Sequence, residues 1–300
     1  MAPGGYAWWY VDALSDDGLH GISLIAFVGS VFSPYYARAR RRGTADPADH
    51  CALNVALYGP RGGRWAMTER GRAALQREAS WLRIGPSALA WDGDALEIDI
   101  DEIAVPLPRR IRGKVRVIPH ALARHEAVLD ARRLHRWQPI APAARVEVRL
   151  DAPALRWSGE GYWDCNHGDE PLEAGIGAWS WSRARLRDGT AVVYDVEARE
   201  GGATALALRF AADGSCSAFA SPPRASLPAS AWRIARATRS EDGVATLART
   251  LEDTPFYARS LVGTRLFGHA ATSVHESLDL DRFRSRIVQA MLPFRMPRRR

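Results

Sequence analysis

Residues 89–100 read Leu-Ala-Trp-Asp-Gly-Asp-Ala-Leu-Glu-Ile-Asp-Ile. Leu89 and Trp91 lead into Asp92-Gly93, and Leu96, Ile98 and Ile100 alternate with charged residues on the far side. Asp-Gly between alternating apolar runs is the strongest short-range signal of a β-hairpin, because both residues tolerate the positive φ of the tight turn. The same pair recurs at Asp17-Gly18, Asp188-Gly189, Asp213-Gly214 and Asp242-Gly243, each beside apolar or alternating stretches. Ala205–Phe210 runs into Asp213-Gly214 in this way, and Val115/Val117, Val146/Val148/Leu150 and Trp232/Ile234 alternate with period two. Long helical periodicity is mostly absent. The expectation is a mainly β, antiparallel, hairpin-rich protein.

Two segments depart from that pattern. Glu69–Leu82 (ERGRAALQREASWL) is rich in helix formers and is expected to be helical. Asp279–Leu292 places Leu280, Phe283, Ile287, Met291 and Leu292 roughly on one face, with Arg282, Arg284 and Arg286 beside or opposite it. Arg295, Arg298, Arg299 and Arg300 add charge after it. A basic amphipathic helix of this kind suits a membrane interface. It suits equally a terminal helix docked on a sheet with solvated arginines.

The 300 residues predict two domains at about 150 residues each. Trp9–Leu14 leads to Asp17-Gly18, and Trp181–Leu186 leads to Asp188-Gly189. In both, a tryptophan and a leucine five apart precede an Asp-Gly turn and a second strand. Two fused β domains explain the echo; so does chance likeness between hairpins. Pro139, Pro142 and Pro153 cluster between the copies, so the boundary is set at 150/151. That gives an N-terminal β domain over 1–150 and a C-terminal β domain with the basic helix over 151–300.

Composition narrows the function classes. Hydrophobic residues at 47% and charged residues at 25% exclude a disordered chain. Cys51, Cys165 and Cys216 lie far apart with no metal spacing, so neither a disulfide scaffold nor a zinc ribbon is expected, and a reducing compartment is. The net charge of +7 is carried almost wholly by arginine, since Lys114 is the only lysine. An arginine-favouring genome explains this, as does a surface that meets phosphate. No nucleic-acid-binding signature accompanies the charge, and nucleic acid is not expected as a partner. Met1–Tyr10 has no secretion-signal pattern, and the apolar run Ile22–Phe32 is too short to span a bilayer, which takes about 20 residues.

Standard catalytic signatures are missing: there is no GxSxG, Walker A, GxGxxG or HExxH. Gly59–Gly63 (GPRGG) reads as a surface turn. The densest chemistry lies in Trp157–Glu173 (WSGEGYWDCNHGDEPLE). If Gly161–Cys165 is a strand, Tyr162 and Asp164 share a face. An acid beside an aromatic ring in a barrel has its pKa raised by desolvation and can act as a proton donor at neutral pH. Upstream, an extended Leu134–Trp137 puts His135 and Trp137 on one face, so two strands can present four groups to one cavity. The same spacing also fits a core histidine, a volume-filling tryptophan and a turn-capping aspartate. Cys165, His167 and Asp169 alternate to the opposite face and make a poor metal set.

The chain resembles the bacterial carotenoid 1,2-hydratases, also called hydroxyneurosporene synthases, over nearly its whole length. The resemblance is carried by Gly5–Leu14, Phe27–Tyr36, Asp49–Gly59, Arg64–Arg70, Gly161–Glu173 and Thr254–Arg259. It implies two lipocalin-like antiparallel β-barrel domains with a few short helices and a C-terminal helix. It also implies that His135, Trp137, Tyr162 and Asp164 are the catalytic residues. The implied reaction is cofactor-independent addition of water to the terminal C1=C2 bond of an acyclic carotenoid such as neurosporene or lycopene, with neither metal nor organic cofactor. Asp164 would protonate the alkene, Trp137 and Tyr162 would shelter the tertiary cation, and His135 would serve as base or orienting group. A soluble enzyme in the cytoplasm, held to the inner photosynthetic membrane by its basic C-terminal helix, would meet a membrane-stored polyene. The alternative on the same fold is a non-catalytic carotenoid or lipid carrier.

Overall fold

The computed structural model describes every residue except Thr44, Arg61 and Arg300. The hairpins dominate, as expected. Twelve strands come first: β1 (Tyr6–Ser15), β2 (Gly21–Val28), β3 (Cys51–Tyr58), β4 (Arg64–Arg70), β5 (Leu75–Arg77), β6 (Trp81–Ile84), β7 (Ser87–Trp91), β8 (Leu96–Ile103), β9 (Arg110–Pro119), β10 (Ala127–Val128), β11 (His135–Ala152) and β12 (Ala154–Gly168). Then follow β13 (Ile176–Leu186), β14 (Gly189–Ala198), β15 (Ala203–Ala211), β16 (Cys216–Ala218), β17 (Arg224–Leu227), β18 (Arg236–Arg239), β19 (Thr246–Asp253), β20 (Tyr257–Leu266), β21 (His269–Asp279) and β22 (Arg298–Arg299).

Among the described residues these make a 13-stranded sheet, a 7-stranded sheet and a two-stranded ribbon. The large sheet runs β22-β4-β3-β2-β1-β12-β11-β9-β8-β7-β6-β5, with β10 paired to β11. It curls on itself: Leu53, Val55 and Ala66 from one end share a core with Leu82, Ile98 and Ile111 from the other. The alternating Leu96, Ile98 and Ile100 point into that core. The Arg70–Glu102 ion pair at 2.8 Å and the Val105 N–H to Trp65 carbonyl bond at 2.9 Å tie the two ends. The outer face of β1, β12 and β11 packs on the second sheet, β16-β15-β14-β13-β21-β20-β19. Strands β1 and β2 are therefore buried on both faces, which is why they read as nearly continuous apolar runs.

The mainly β class with few short helices holds. The expected boundary at 150/151 falls at the β11–β12 hairpin, and β12 pairs with β1 and β11 in the first sheet; the second sheet begins at Ile176.

Four local expectations fail. Glu69–Leu82 is not a helix: it ends β4, makes a short 3-10 turn at Arg72–Ala74 and continues as β5 and the start of β6. Helix propensity is worth only tenths of a kcal/mol per residue and is overridden here by pairing. Asp242-Gly243 turns between strands that pair with different partners and closes no hairpin. Trp232/Ile234 lies in a turn and loop. The C-terminal helix is broken into α1 (Leu280–Arg284) and α2 (Arg286–Arg295), because Ser285 leaves helical geometry and caps α2. Leu280, Phe283, Val288 and Leu292 dock into the core, whereas Ile287 and Phe294 are 75% and 82% exposed. Among the described residues no helix is long and apolar enough to cross a membrane. Arg298 does not remain free charge, since it is paired with Glu69 and Asp49; Arg300 lies outside the described residues, as does Arg61 of the Gly59–Gly63 turn.

Candidate active site

Strand alternation sends Tyr6, Trp8, Tyr10 and Asp12 of β1 to the face that meets the second sheet, while Trp9, Val11 and Ala13 face the inner core. On β12, Tyr162, Asp164 and Asn166 take the same outer face, and on β11 His135 and Trp137 join them. Tyr10 is paired with Asp164, Asp12 with Tyr162, and Trp137 with Asn166. The facing sheet contributes Trp179 and Trp181 from β13, Tyr194 from β14 and Glu276 from β21.

Between the sheets lies a cavity of about 390 Å³, walled by Trp8, Tyr10, Trp137, Trp179, Trp181 and Tyr194, with Asp164 and Glu276 also on its lining. Trp137 meets Tyr194 edge-on with ring centroids 5.5 Å apart, and Tyr162 lies against Trp181 at 5.2 Å. The lining also includes Trp232, Met291 and Phe294, all of them exposed.

Asp164 is 4% exposed. The Trp137 indole N–H donates to its Oδ2 at 2.7 Å, and the Tyr162 hydroxyl donates to the same oxygen at 3.0 Å. Oδ1 is buried with no hydrogen-bond partner among the described residues. Burial drives this carboxyl up, and the two donors only partly restrain it, so its pKa stands at about 8. Near pH 7 the group is mostly a neutral acid. Its occupied oxygen is Oδ2, so its proton belongs on Oδ1.

Asp12, 1% exposed, is buried too, but beside cations. Arg183 is hydrogen-bonded to its Oδ1, and Arg259 Nη2 lies 3.1 Å from Oδ2. Arg259 also donates to Glu276 Oε1 at 2.5 Å. Burial alone would raise Asp12, yet the two arginines hold it below the ordinary carboxylate value.

Of the four expected residues Trp137 and Asp164 lie on the cavity lining, Tyr162 is buried behind it, and His135 stands apart from all three. The His135 ring is wholly buried off the cavity lining, with Nδ1 2.8 Å from the Tyr6 hydroxyl and Nε2 3.2 Å from Glu170. Its backbone N–H donates to Asp130 at 2.8 Å. Tyr6 stacks in turn on the wall residue Trp8, with centroids 5.0 Å apart. Trp137, Tyr162 and Asp164 are thus in direct contact, and His135 reaches the cavity only through Tyr6 and Trp8. Among the described residues no group of three or more His, Cys, Asp or Glu is placed to hold a metal ion.

Sequence reasoning missed Tyr10, Trp181, Tyr194 and Glu276. The Tyr6-Trp8-Tyr10-Asp12 alternation was a usable signal for the first. The echo of Trp9–Leu14 in Trp181–Leu186 is out of step by one residue: Trp181 lines the cavity, whereas Trp9 packs against the inner core, and Trp8 and Tyr10 line the cavity in its place.

The sequence profile of the family described as Carotenoid hydratase CrtC matches residues 24–300. The chain is 61% identical over 300 residues to the acyclic carotenoid 1,2-hydratase of Thiocapsa roseopersicina, covering 99% of this chain and 74% of that protein. It is 55% identical over 303 residues to the protein of the same name from Rubrivivax gelatinosus, covering 100% of this chain and 75% of that one. A crystal structure of a putative AttH from Nitrosomonas europaea superposes with a TM-score of 0.64 at 15% identity, covering 91% of each chain, which is a likeness of fold alone.

Proposed function

The chain belongs to the carotenoid hydratase family described as CrtC, and on that premise we propose how its site performs the family's reaction. The protein is a hydro-lyase that adds water to the terminal C1=C2 bond of an acyclic carotenoid. Such an alkene has no carbonyl to polarise it, so its protonation is the hard step. Asp164 delivers that proton from Oδ1. The proton goes to the less substituted carbon and leaves a tertiary cation on the other. Trp137 and Tyr162 then donate to the carboxylate that remains. Trp137, with the indole and phenol rings around it, presents π faces to the cation, each worth about 0.5–2 kcal/mol in a dry site. His135 takes the orienting half of its expected role, holding Tyr6 against Trp8.

The observation that carries this reading is a buried carboxyl group with an unpartnered oxygen, its pKa near 8, set in an aromatic-walled cavity. A long polyene enters such a volume by one end. We read the fold as two lipocalin-like halves meeting at this cavity; the two sheets support that reading.

A peripheral membrane contact fits the same picture. Ile287, Met291, Phe294 and Trp232 are exposed apolar groups, three of them on the cavity lining, with Arg284 and Arg286 nearby in sequence. An apolar surface among arginines suits an anionic bilayer. The test of function is incubation with lycopene in ¹⁸O-labelled water and no added cofactor. A hydroxylated product carrying the label is expected; recovery of unhydrated polyene would make the protein a carrier.

A further inference from the structure

The protonation step leaves half the reaction without an assigned group: something must hold the attacking water and take its proton. His135 is off the cavity lining, and His275 is engaged by Ser182 and Ser277. Burial holds the His275 imidazole down at about 3, so it stays neutral. Glu276 is different. It lines the same cavity as Asp164, its side chain is 12% exposed, and Arg259 is bonded to its Oε1 from behind, off the lining. Its position places it directly opposite Trp181 across the β13–β21 ladder. Side chains so paired stand about 5 Å apart at Cβ.

Trp181 supplies the second observation. It lines the cavity at 4% exposure, and its indole N–H has no hydrogen-bond partner among the described residues. A buried N–H left unpaired costs about 1–3 kcal/mol, so its retention calls for a ligand. Asp164 Oδ1 and this N–H are thus both unpaired polar atoms of one apolar chamber, one a donor of protons and the other a donor of a hydrogen bond. A water oxygen can accept from the indole while its own hydrogen points to the carboxylate opposite.

We propose that Glu276 is a second catalytic residue, which takes the proton from the water that adds to the carbocation, and that the Trp181 indole N–H holds that water by its oxygen. The inference rests on Asp164 as the acid. The Asp164 O–H bond breaks and a C–H bond forms on the alkene; the water oxygen then bonds to the cationic carbon, and one water proton passes to Glu276. That proton replaces the one Asp164 gave up, so exchange between the two carboxyls through solvent closes the cycle with one water consumed. Burial raises the Glu276 carboxyl above its ordinary value, and the Arg259 cation works against that rise by favouring the ionised form. Tyr10, Tyr257 and Asp12 also face it, and Arg183 balances Asp12. The arrangement separates acid from base in one dry site, as inverting glycosidases do with two carboxyls.

Azide separates the two roles, because it is a nucleophile that needs no base. Full-length Glu276→Gln should bind lycopene as the parent does and hydrate it about 100-fold more slowly or worse. Glu276→Ala with added sodium azide should form the tertiary azide adduct, whereas Asp164→Asn with azide should form none, since no cation arises. Trp181→Phe, which keeps a ring and leaves the charges in place, should slow hydration about tenfold with unchanged binding. Hydration by Glu276→Gln within about threefold of the parent would overturn the proposal, and so would loss of hydration without azide adduct in Glu276→Ala. A parental rate in Trp181→Phe would overturn the water-holding role. Retained hydration in Asp164→Asn would instead sink the assignment of the acid, and the two failures are distinguishable.

Discussion

Asp164 and Asp12 are the same residue type on neighbouring strands and on the same face, and both are buried, at 4% and 1% exposure. Asp164 is held only by neutral donors, Trp137 and Tyr162, and burial lifts it to about 8. Asp12 sits against Arg183 and Arg259 and is held below its ordinary value. Burial therefore does not decide protonation; the charge of the neighbours does. One position is an acid ready to give a proton, and the other is a fixed anion that anchors two arginines, one of which reaches Glu276.

The comparison can be broken at either end. Asp164→Asn keeps the acceptor for Trp137 and Tyr162 but has no proton to give, so hydration of lycopene should fall by about 10³- to 10⁴-fold while the protein stays folded. Product formation read by chromatography, with circular dichroism as the folding control, checks this. Arg259→Met leaves Asp12 with Arg183 alone and leaves Glu276 without its cation, so urea denaturation should show a loss of about 3–5 kcal/mol. A change below 1 kcal/mol would mean the arginine is not what keeps Asp12 ionised.

Trp137→Phe sharpens the comparison. It removes a donor that lowers the Asp164 pKa, so the limb where activity falls at high pH should move above about 8 as the rate drops by about 10- to 100-fold. A downward shift of that limb would contradict the assignment. Stability responds with opposite signs at the two sites. Asp164, raised in the folded state, loses stability between about pH 4 and 8 at roughly 1.4 kcal/mol per pH unit as the unfolded chain gives up its proton first. Asp12, depressed in the folded state, loses stability as pH falls through the ordinary carboxylate range. The smallest effect is at Ile287, exposed and off the cavity lining: Ile287→Ser should reduce sedimentation with anionic vesicles by about threefold and leave hydration of detergent-dispersed lycopene unchanged.

The shared faces of the candidate site residues could be read from sequence because that information is local. Tyr162 and Asp164 are two apart, as are His135 and Trp137, and period two alone puts each pair on one face. Which residues meet across the two sheets is not local. Trp181 and Glu276 are 95 positions apart and become neighbours only through the β13–β21 ladder. The Tyr6 partner of His135 is 129 positions away, which is why the histidine could be placed on the correct strand without its true contacts. The misread helix at Glu69–Leu82 failed for a related reason: Glu69 and Arg70 are held by His50, Arg298 and Glu102, none adjacent in sequence. The curl of one sheet around its own core likewise depends on Arg70 and Trp65 meeting the far end.

Infrared difference spectroscopy of the protonated-carboxyl C=O stretch tests the central claim most directly. With Asp164→Asn as the reference, a carboxylic-acid band belonging to Asp164 should be present at pH 6–7 and vanish with a midpoint near 8. A band absent at pH 6, with the carboxylate already formed, would mean that Asp164 titrates like an ordinary surface acid and has no proton to give.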